Sequence, residues 1–439
     1  MKKGLMVALM VALSHIGLAQ FGNLLDRAKQ KTNNKINQKI DQKMDKTIDK
    51  GIDGAENAGK KKDSKAAPNT GEEPNGESGK AGPASTGNSG FKSYSKFDFV
   101  PGDKLVASED FSQDALGDFP DKWNTNGSGE IVTLSNKDGK FLMTQKEVIF
   151  YPEWIQNLPE NFTLEFDLVC SEKFNYYSGA FFVGFNTSTK IGTDFRSFAR
   201  FGNGRVANGG GFETSFHPQS AGGGHGRTSF YSSFNNKEVL NNDAEQDKFR
   251  EIKTSTRISI WRQKTRVRVY MDDKKVWDMP KALTEGLKLN SLYFRNDASS
   301  NENDAFYIGN VRLAIGAPDT RNKLITEGKF VSHGILFDVN SDRIKAESYG
   351  AIKEIATVLT ENTDLKLLIV GHTDSDGNEG SNLELSRKRA AAVKVLLTKE
   401  FNIDASRMTT DGKGATQPMD KNSSSLGKAN NRRVEFIKQ

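Results

Sequence analysis

The chain has 439 residues, 27% charged and 35% hydrophobic, with negative mean hydropathy, 41 glycines and a single cysteine, Cys170. That length allows roughly two to three domains with real cores, and the hydropathy excludes a polytopic helical membrane protein. One cysteine excludes a disulfide framework or a cysteine-rich metal site. His15, His217, His225, His333 and His372 show no metal-ligand spacing, so no metal and no other cofactor is expected.

The net charge of +6 is unevenly spread. Residues 20–65 carry twelve Lys/Arg against seven Asp/Glu, residues 325–439 carry seventeen against sixteen, and residues 66–324 are net −2. The basicity belongs to an N-terminal arm rather than to a folded binding face, so nucleic acid is not an expected partner.

In chain order, Met1-Lys2-Lys3 precedes an apolar run from Leu5 to Ala19 with small residues at Gly17 and Ala19. This is the secretory signal pattern, 1–19, with cleavage after Ala19. The run is shorter than the roughly twenty residues that span a bilayer, which argues against a retained anchor. No cysteine follows it to carry a lipid. Residues 20–53 place Leu24, Ala28, Ile36, Ile40, Met44, Ile48 and Ile52 at multiples of four. A step of four overshoots a helical turn by about 40°, so the apolar ridge drifts around a polar helix. Such an arm is either a solvated stalk or a weak oligomerisation or membrane-surface element. Residues 54–96 are Gly, Ser, Pro, Lys, Glu and Asn with little to bury, which reads as a disordered linker.

Residues 97–316 read as all-β. Phe162, Leu164, Phe166, Leu168 and Cys170 share one face of a strand, and Thr163, Glu165 and Asp167 share the other. Val267, Val269 and Met271 repeat the pattern before Asp272-Asp273-Lys274-Lys275 turns toward Val276-Trp277. Leu292-Tyr-Phe294 and Phe306 to Leu313 supply later strands, and the 28 phenylalanines suit a two-sheet sandwich. Gly202 to Gly226 reads as an irregular glycine-rich loop, which disfavours a transmembrane barrel of regular strands.

Val269 to Trp277 and Ile308-Gly-Asn-Val-Arg-Leu313 make this region resemble concanavalin-like, laminin-G-type jelly rolls. The resemblance implies that glycans or outer-membrane proteins are the sandwich's candidate partners. Hydrolases of this fold use carboxylates on one strand face. Here Glu165 and Asp167 share a face but Glu172 has the opposite parity, so the trio is not reproduced. A wall-targeted glycan hydrolase, or a glycan-binding protein acting through the sandwich, is the alternative function.

Residues 325–439 change character. Gly334 to Val339 reads as a short strand, Ile344 to Glu361 as a helix, Leu365 to Gly371 as a strand covered on both faces, and about 382–400 as a second helix. Met408 to Asp411 and Arg432 to Lys438 close as strands, giving an α/β domain. Phe337-Asp-Val-Asn-Ser341, Gly371-His-Thr-Asp-Ser-Asp-Gly377, Asn382-Leu-Glu-Leu-Ser386 with Arg389-Ala390, and Asn431-Arg-Arg-Val434 follow in order. The segment closely resembles the OmpA C-terminal domain, the peptidoglycan-binding module shared with peptidoglycan-associated lipoproteins and flagellar stator proteins.

Asp374 sits at a strand's C-terminal end, and Arg389 lies fifteen residues on, in the first two turns of the next helix. Two such groups can converge on one small zwitterion. The resemblance implies that this is the diaminopimelate of the peptidoglycan stem peptide, with Asp374 accepting from the ammonium and Arg389 forking onto the carboxylate. Asp338, Thr373, Asn382 and Leu385 lie where the family builds the pocket wall. Arg432 and Arg433 could each touch the ligand or brace the sheet, and Arg433 is carried with the site. Asp374 to Asn378 echoes the start of a calcium loop, but the glycine comes too early and Leu385 falls where the bidentate acid belongs. The implied protein is a secreted, non-catalytic envelope protein of a Gram-negative bacterium, held at the periplasmic face of the outer membrane or in the periplasm.

Overall fold

Alternation organises the first part of the described chain. On β6 (Asn161–Cys170) the side chains of Phe162, Leu164, Phe166 and Leu168 are fully buried in one core, with Cys170 packed at its margin. β6 lies inside an eight-stranded antiparallel sheet. Its order is β13 (Lys274–Met279), β12 (Arg266–Met271), β11 (Thr256–Gln263), β6, β15 (Phe306–Ile315), β4 (Lys137–Thr144), β3 (Gly129–Leu134). The far edge of β15 is shared. Phe306 to Ile308 pair with β4, and Val311 to Ile315 pair with β1 (Lys104–Glu109). A bulge between Gly309 and Arg312 separates the two halves, with Asn310 in the left-handed region at φ 49°.

The second sheet has seven strands: β10 (Lys237–Gln246), β9 (Gly226–Phe234), β8 (Gly210–His217), β7 (Phe181–Asn186), β14 (Ser291–Asn296), β5 (Ile149–Pro152) and β2 (Trp123–Thr125). The two inner faces share one phenylalanine-rich core, and rings meet across the gap, Phe162 to Phe185 at 5.2 Å and Phe166 to Phe294 at 5.3 Å. Among the described residues both sheets have free edge strands, so these strands form a sandwich and do not close into a barrel.

The structure is a computed structural model that describes residues 97–439 except 173, 189, 194, 196–209, 220–222, 248, 250–254, 298–303 and 317–318. The expected signal segment, helical arm and linker lie outside the described residues. One expectation is corrected here. The stretch read as an irregular loop contains β8, a central strand of the seven-stranded sheet. Its glycines hid it, but one of them is needed for strand packing. A Cβ at Gly211 would sit 2.4 Å from the Phe185 carbonyl oxygen.

From Thr320 onward the chain forms an α/β unit. Its sheet runs β16 (Lys329–Ser332), β19 (Val434–Lys438), β17 (Leu367–His372), β18 (Met408–Gly414), with β17 and β18 parallel and the other pairs antiparallel. Helices α1 (Tyr349–Glu361) and α2 (Glu379–Phe401) bury Ile352, Ile355, Leu359, Ala390, Val393 and Leu397 against Leu367, Ile369, Val434 and Phe436. A short α3 (Ser425–Asn431) precedes β19. The strand expected over Gly334 to Val339 is absent. β16 takes the edge instead, and 337–344 folds into a turn with Asn340 at φ 50° and one bridge, Phe337 to Ile344. Among the described residues no helix is long and apolar enough to cross a membrane.

The outer face of the eight-stranded sheet is polar yet buried, because the α/β unit sits on it. Across β6 and β11, Asp167 stands opposite Arg257, and across β6 and β15, Glu165 stands opposite Arg312. Arg257 reaches Asp167 at 3.1 Å and Glu165 at 3.6 Å. Lys345 and Glu347 of the α/β unit add their charges to this cluster, and Arg312 donates to the His333 carbonyl at 2.8 Å. Gly350 at the start of α1 lies so close to Phe99 that a Cβ would come within 1.9 Å of its carbonyl oxygen. Phe97, Phe99, Val100, Trp261 and Tyr270 form a small aromatic cluster there, with Tyr349 packed against it.

Candidate functional site

β17 ends at His372, and the chain then makes a loop before α2. Asn378 starts that helix, its side chain accepting from the Ser381 N–H at 3.2 Å. The helix therefore begins earlier than its apolar pattern suggests, and Arg389 lies in its third turn rather than its first two.

The loop is fixed by its own polar groups. The Thr373 N–H donates to the Gly414 carbonyl at 3.0 Å, and its hydroxyl donates to the Asp374 carbonyl at 2.8 Å. The Asn382 amide donates to the Asp376 carbonyl at 2.9 Å. Thr373 and Asn382 thus shape the loop that carries Asp374. Asp374 itself is only 9% exposed, and its Oδ1 accepts from the Asp376 N–H at 3.2 Å. Its other oxygen receives the Arg432 guanidinium at 2.6 Å.

Arg389 approaches from the helix side. It stacks over Phe337 at 4.9 Å and donates to the Ser341 carbonyl at 2.9 Å and the Asp338 carbonyl at 3.3 Å. Burial lowers the Arg389 pKa, the Asp374 charge opposes that shift, and the guanidinium stays protonated. Two of its five N–H groups are spent on those carbonyls, which leaves donors for a ligand carboxylate. Leu385, half-buried one turn before Arg389, lies on the same helix face.

Two expected site residues take other roles. Arg433 is turned away from Asp374. It is buried, pairs with Glu435 at 2.8 Å and donates to the Gln417 carbonyl at 3.0 Å, so it braces the sheet. Arg432 is the arginine at the pocket. Strand parity carried the signal: Arg433 shares a face with Glu435, opposite Val434 and Phe436, whereas Arg432 caps the end of α3. Asp338 contributes its carbonyl to Arg389, while its carboxylate pairs with Arg343. Glu435 also faces Lys329 and His372. Burial pushes its carboxyl up, but the nearby His372, with Lys329 and Arg433 both at 2.8 Å, outweighs that and holds it well below the usual range.

Glu165 and Asp167 form no hydrolytic pair. Both are bound to Arg257 beneath the α/β unit, and for Asp167 the cost of burial is outweighed by Arg257 and Lys137, which keep it ionised. A general acid needs the opposite, a carboxyl kept protonated. Nothing in the residue pattern pointed to Glu213 on β8. It is buried outside the core, accepts from Tyr293 at 2.9 Å and from Arg295 at 3.0 Å, and burial raises its pKa. No group of three or more His, Cys, Asp or Glu side chains among the described residues is arranged to hold a metal.

An acid and two arginines thus come together at the end of a parallel strand pair in a small α/β unit. Residues 336–432 match the OmpA family, and the chain carries an OmpA domain there. Outer membrane porin F of Pseudomonas aeruginosa is 35% identical over 101 residues, 23% of this chain and 29% of that protein. Probable lipoprotein YiaD of Escherichia coli is 37% identical over 104 residues, 24% of this chain and 47% of that protein. The matches therefore span less than half the length of these curated relatives. Among solved structures, the peptidoglycan-associated lipoprotein from Burkholderia pseudomallei is 24% identical, with a TM-score of 0.24, covering 28% of this chain and 98% of that one.

Proposed function

We propose that this protein is a non-catalytic cell-envelope component that grips peptidoglycan through the diaminopimelate of its stem peptide. The observation that carries the reading is the convergence of Asp374, Arg389 and Arg432 inside an OmpA domain. The ligand's free end is one ammonium and one carboxylate. Asp374 accepts from the ammonium, and the unspent N–H groups of Arg389 fork onto the carboxylate. Arg432, which pairs with Asp374, turns toward the same carboxylate when the ammonium arrives.

Charge-assisted hydrogen bonds contribute about 1.5–3 kcal/mol each, so loss of either partner removes most of a moderate affinity. The outer-membrane names of the relatives support a place in the envelope. We further propose export by the 1–19 signal, an arm at 20–53 and a linker at 54–96. A sandwich at 97–316 and the wall-binding domain at 325–439 follow. The jelly-roll likeness makes glycans or outer-membrane proteins the partners proposed for the sandwich.

The test is titration of the full chain with two disaccharide tetrapeptides, one with diaminopimelate and one with lysine at the third position. Lysine keeps the ammonium and lacks the carboxylate. Binding of the first with at least tenfold preference over the second is expected. Equal affinity for both would remove the carboxylate from the mechanism.

A further inference from the structure

Helix α3 touches the sandwich on one side and the pocket on the other. On the sandwich side, the Ser425 hydroxyl donates to Asp110 Oδ1 at 2.6 Å, and Leu426 and Ala429 pack with Leu105 of β1 and Ala314 of β15. On the pocket side, Lys428 Nζ meets Asp376 at 2.9 Å. Arg432, whose N–H closes the helix on the Lys428 carbonyl at 3.0 Å, reaches Asp374 at 2.6 Å.

Seven residues are too few for a helix to hold its own position in water, so α3 stands where its neighbours place it. Leu105 and Ala314 present outer-face apolar atoms to it through the bulge at Val106, which turns Leu105 outward while Ala107 returns to the core. Asp110 follows directly after β1. Burial opposes its charge, but Ser425, Ser112 and the nearby Arg432 outweigh that.

We propose that the sandwich is a positioning element of the peptidoglycan pocket: Asp110 and the Leu105–Ala314 seat fix α3, and α3 fixes Lys428 and Arg432 against the Asp374 loop. Asp110 is thus a positioning residue that acts on the ligand through Ser425 and Arg432 without touching it. The proposal rests on the peptidoglycan reading above. It makes the sandwich part of the grip and explains why a wall-binding domain is seated on a sandwich face otherwise rich in charge.

The experiment uses the full chain and the diaminopimelate-containing disaccharide tetrapeptide as the probe. Asp110→Ala and Ser425→Ala are each expected to weaken binding about three- to tenfold, the worth of one lost hydrogen bond, with thermal midpoints within a few degrees of the parent. Asp110→Asn keeps an oxygen for the Ser425 hydroxyl and should restore affinity to within about twofold. A merely structural role would not give that rescue. Faster amide exchange confined to 425–432 in the alanine variants is the second signature. If Asp110→Ala does not fold, Ser425→Ala carries the test from the other side. Binding by the parent and equal binding by the alanine variants overturns the positioning role. Failure of the parent itself to bind overturns the peptidoglycan reading, and the positioning role with it.

Discussion

In the proposed grip Arg389 has two tasks, and a lysine can do only one of them. Its guanidinium is anchored by the Ser341 and Asp338 carbonyls and keeps further N–H groups for a ligand. An ammonium at the same place is a point charge that cannot span both. Arg389→Lys is therefore expected to lose about tenfold or more in muropeptide affinity while the fold persists, as titration beside circular dichroism will read. The pH response also belongs to single residues. Burial, with Arg312 and Arg433 nearby, pushes His333 down to about 4, while Glu435 is held below its ordinary 4.5 by the partners that outweigh its burial. Both groups bind fewer protons folded than unfolded, so stability rises with pH across their windows. The His333 contribution is lost as pH falls from 6.5 to about 4, and that of Glu435 as pH falls below 4.5. A thermal midpoint that drops steadily from pH 7 to pH 4 is expected, with His333→Gln flattening the upper part. A flat parent profile across that range would contradict the His333 assignment.

At the scale of elements, two glycines, one on β17 and one on β18, set the distance between this parallel strand pair and the helix that carries Arg389. A Cβ at Gly371 would lie 2.2 Å from the Ser386 carbonyl oxygen, and one at Gly412 would lie 2.4 Å from the Arg387 N–H nitrogen. Gly371→Ala must push α2 away from β17, at a cost of about 1–3 kcal/mol of stability. Denaturant unfolding should show that loss together with weaker ligand binding. Much of this layer was legible in the sequence. Period-two alternation marked β6 and β12, and helical spacing marked α1 and α2, because each buries one face against one core. β8 was hidden because its glycines and Glu213 break the alternation, and Glu213 finds Arg295 82 residues away. The 334–339 segment looked like a strand because Ile335 is buried, yet its backbone turns back on itself instead of pairing. That Asp374 and Arg389 come near one another was legible from motif and spacing. Strand parity sets Arg433 beside Glu435, and Arg432 stands apart from it as the cap of α3, which ends at Asn431.

The whole molecule explains what no local pattern could. Glu165 and Asp167 alternate outward and read as exposed strand residues, but a unit more than 150 residues along the chain covers them. Burial there is tolerable because Arg257 serves both carboxylates. Arg257→Ala would leave two buried anions facing each other and should cost about 3–5 kcal/mol, measurable as a lowered denaturant midpoint. The same seating places α3 between the sandwich and the Asp374 loop, so the proposed grip on the wall draws on both halves of the described chain.

The most direct test of that grip is co-sedimentation of the full chain with purified peptidoglycan sacculi, run beside folded Asp374→Ala and Arg389→Ala variants. The parent should pellet with the sacculi and both variants should stay in the supernatant. A folded parent that remains soluble, or variants that pellet as well as it does, would contradict the account.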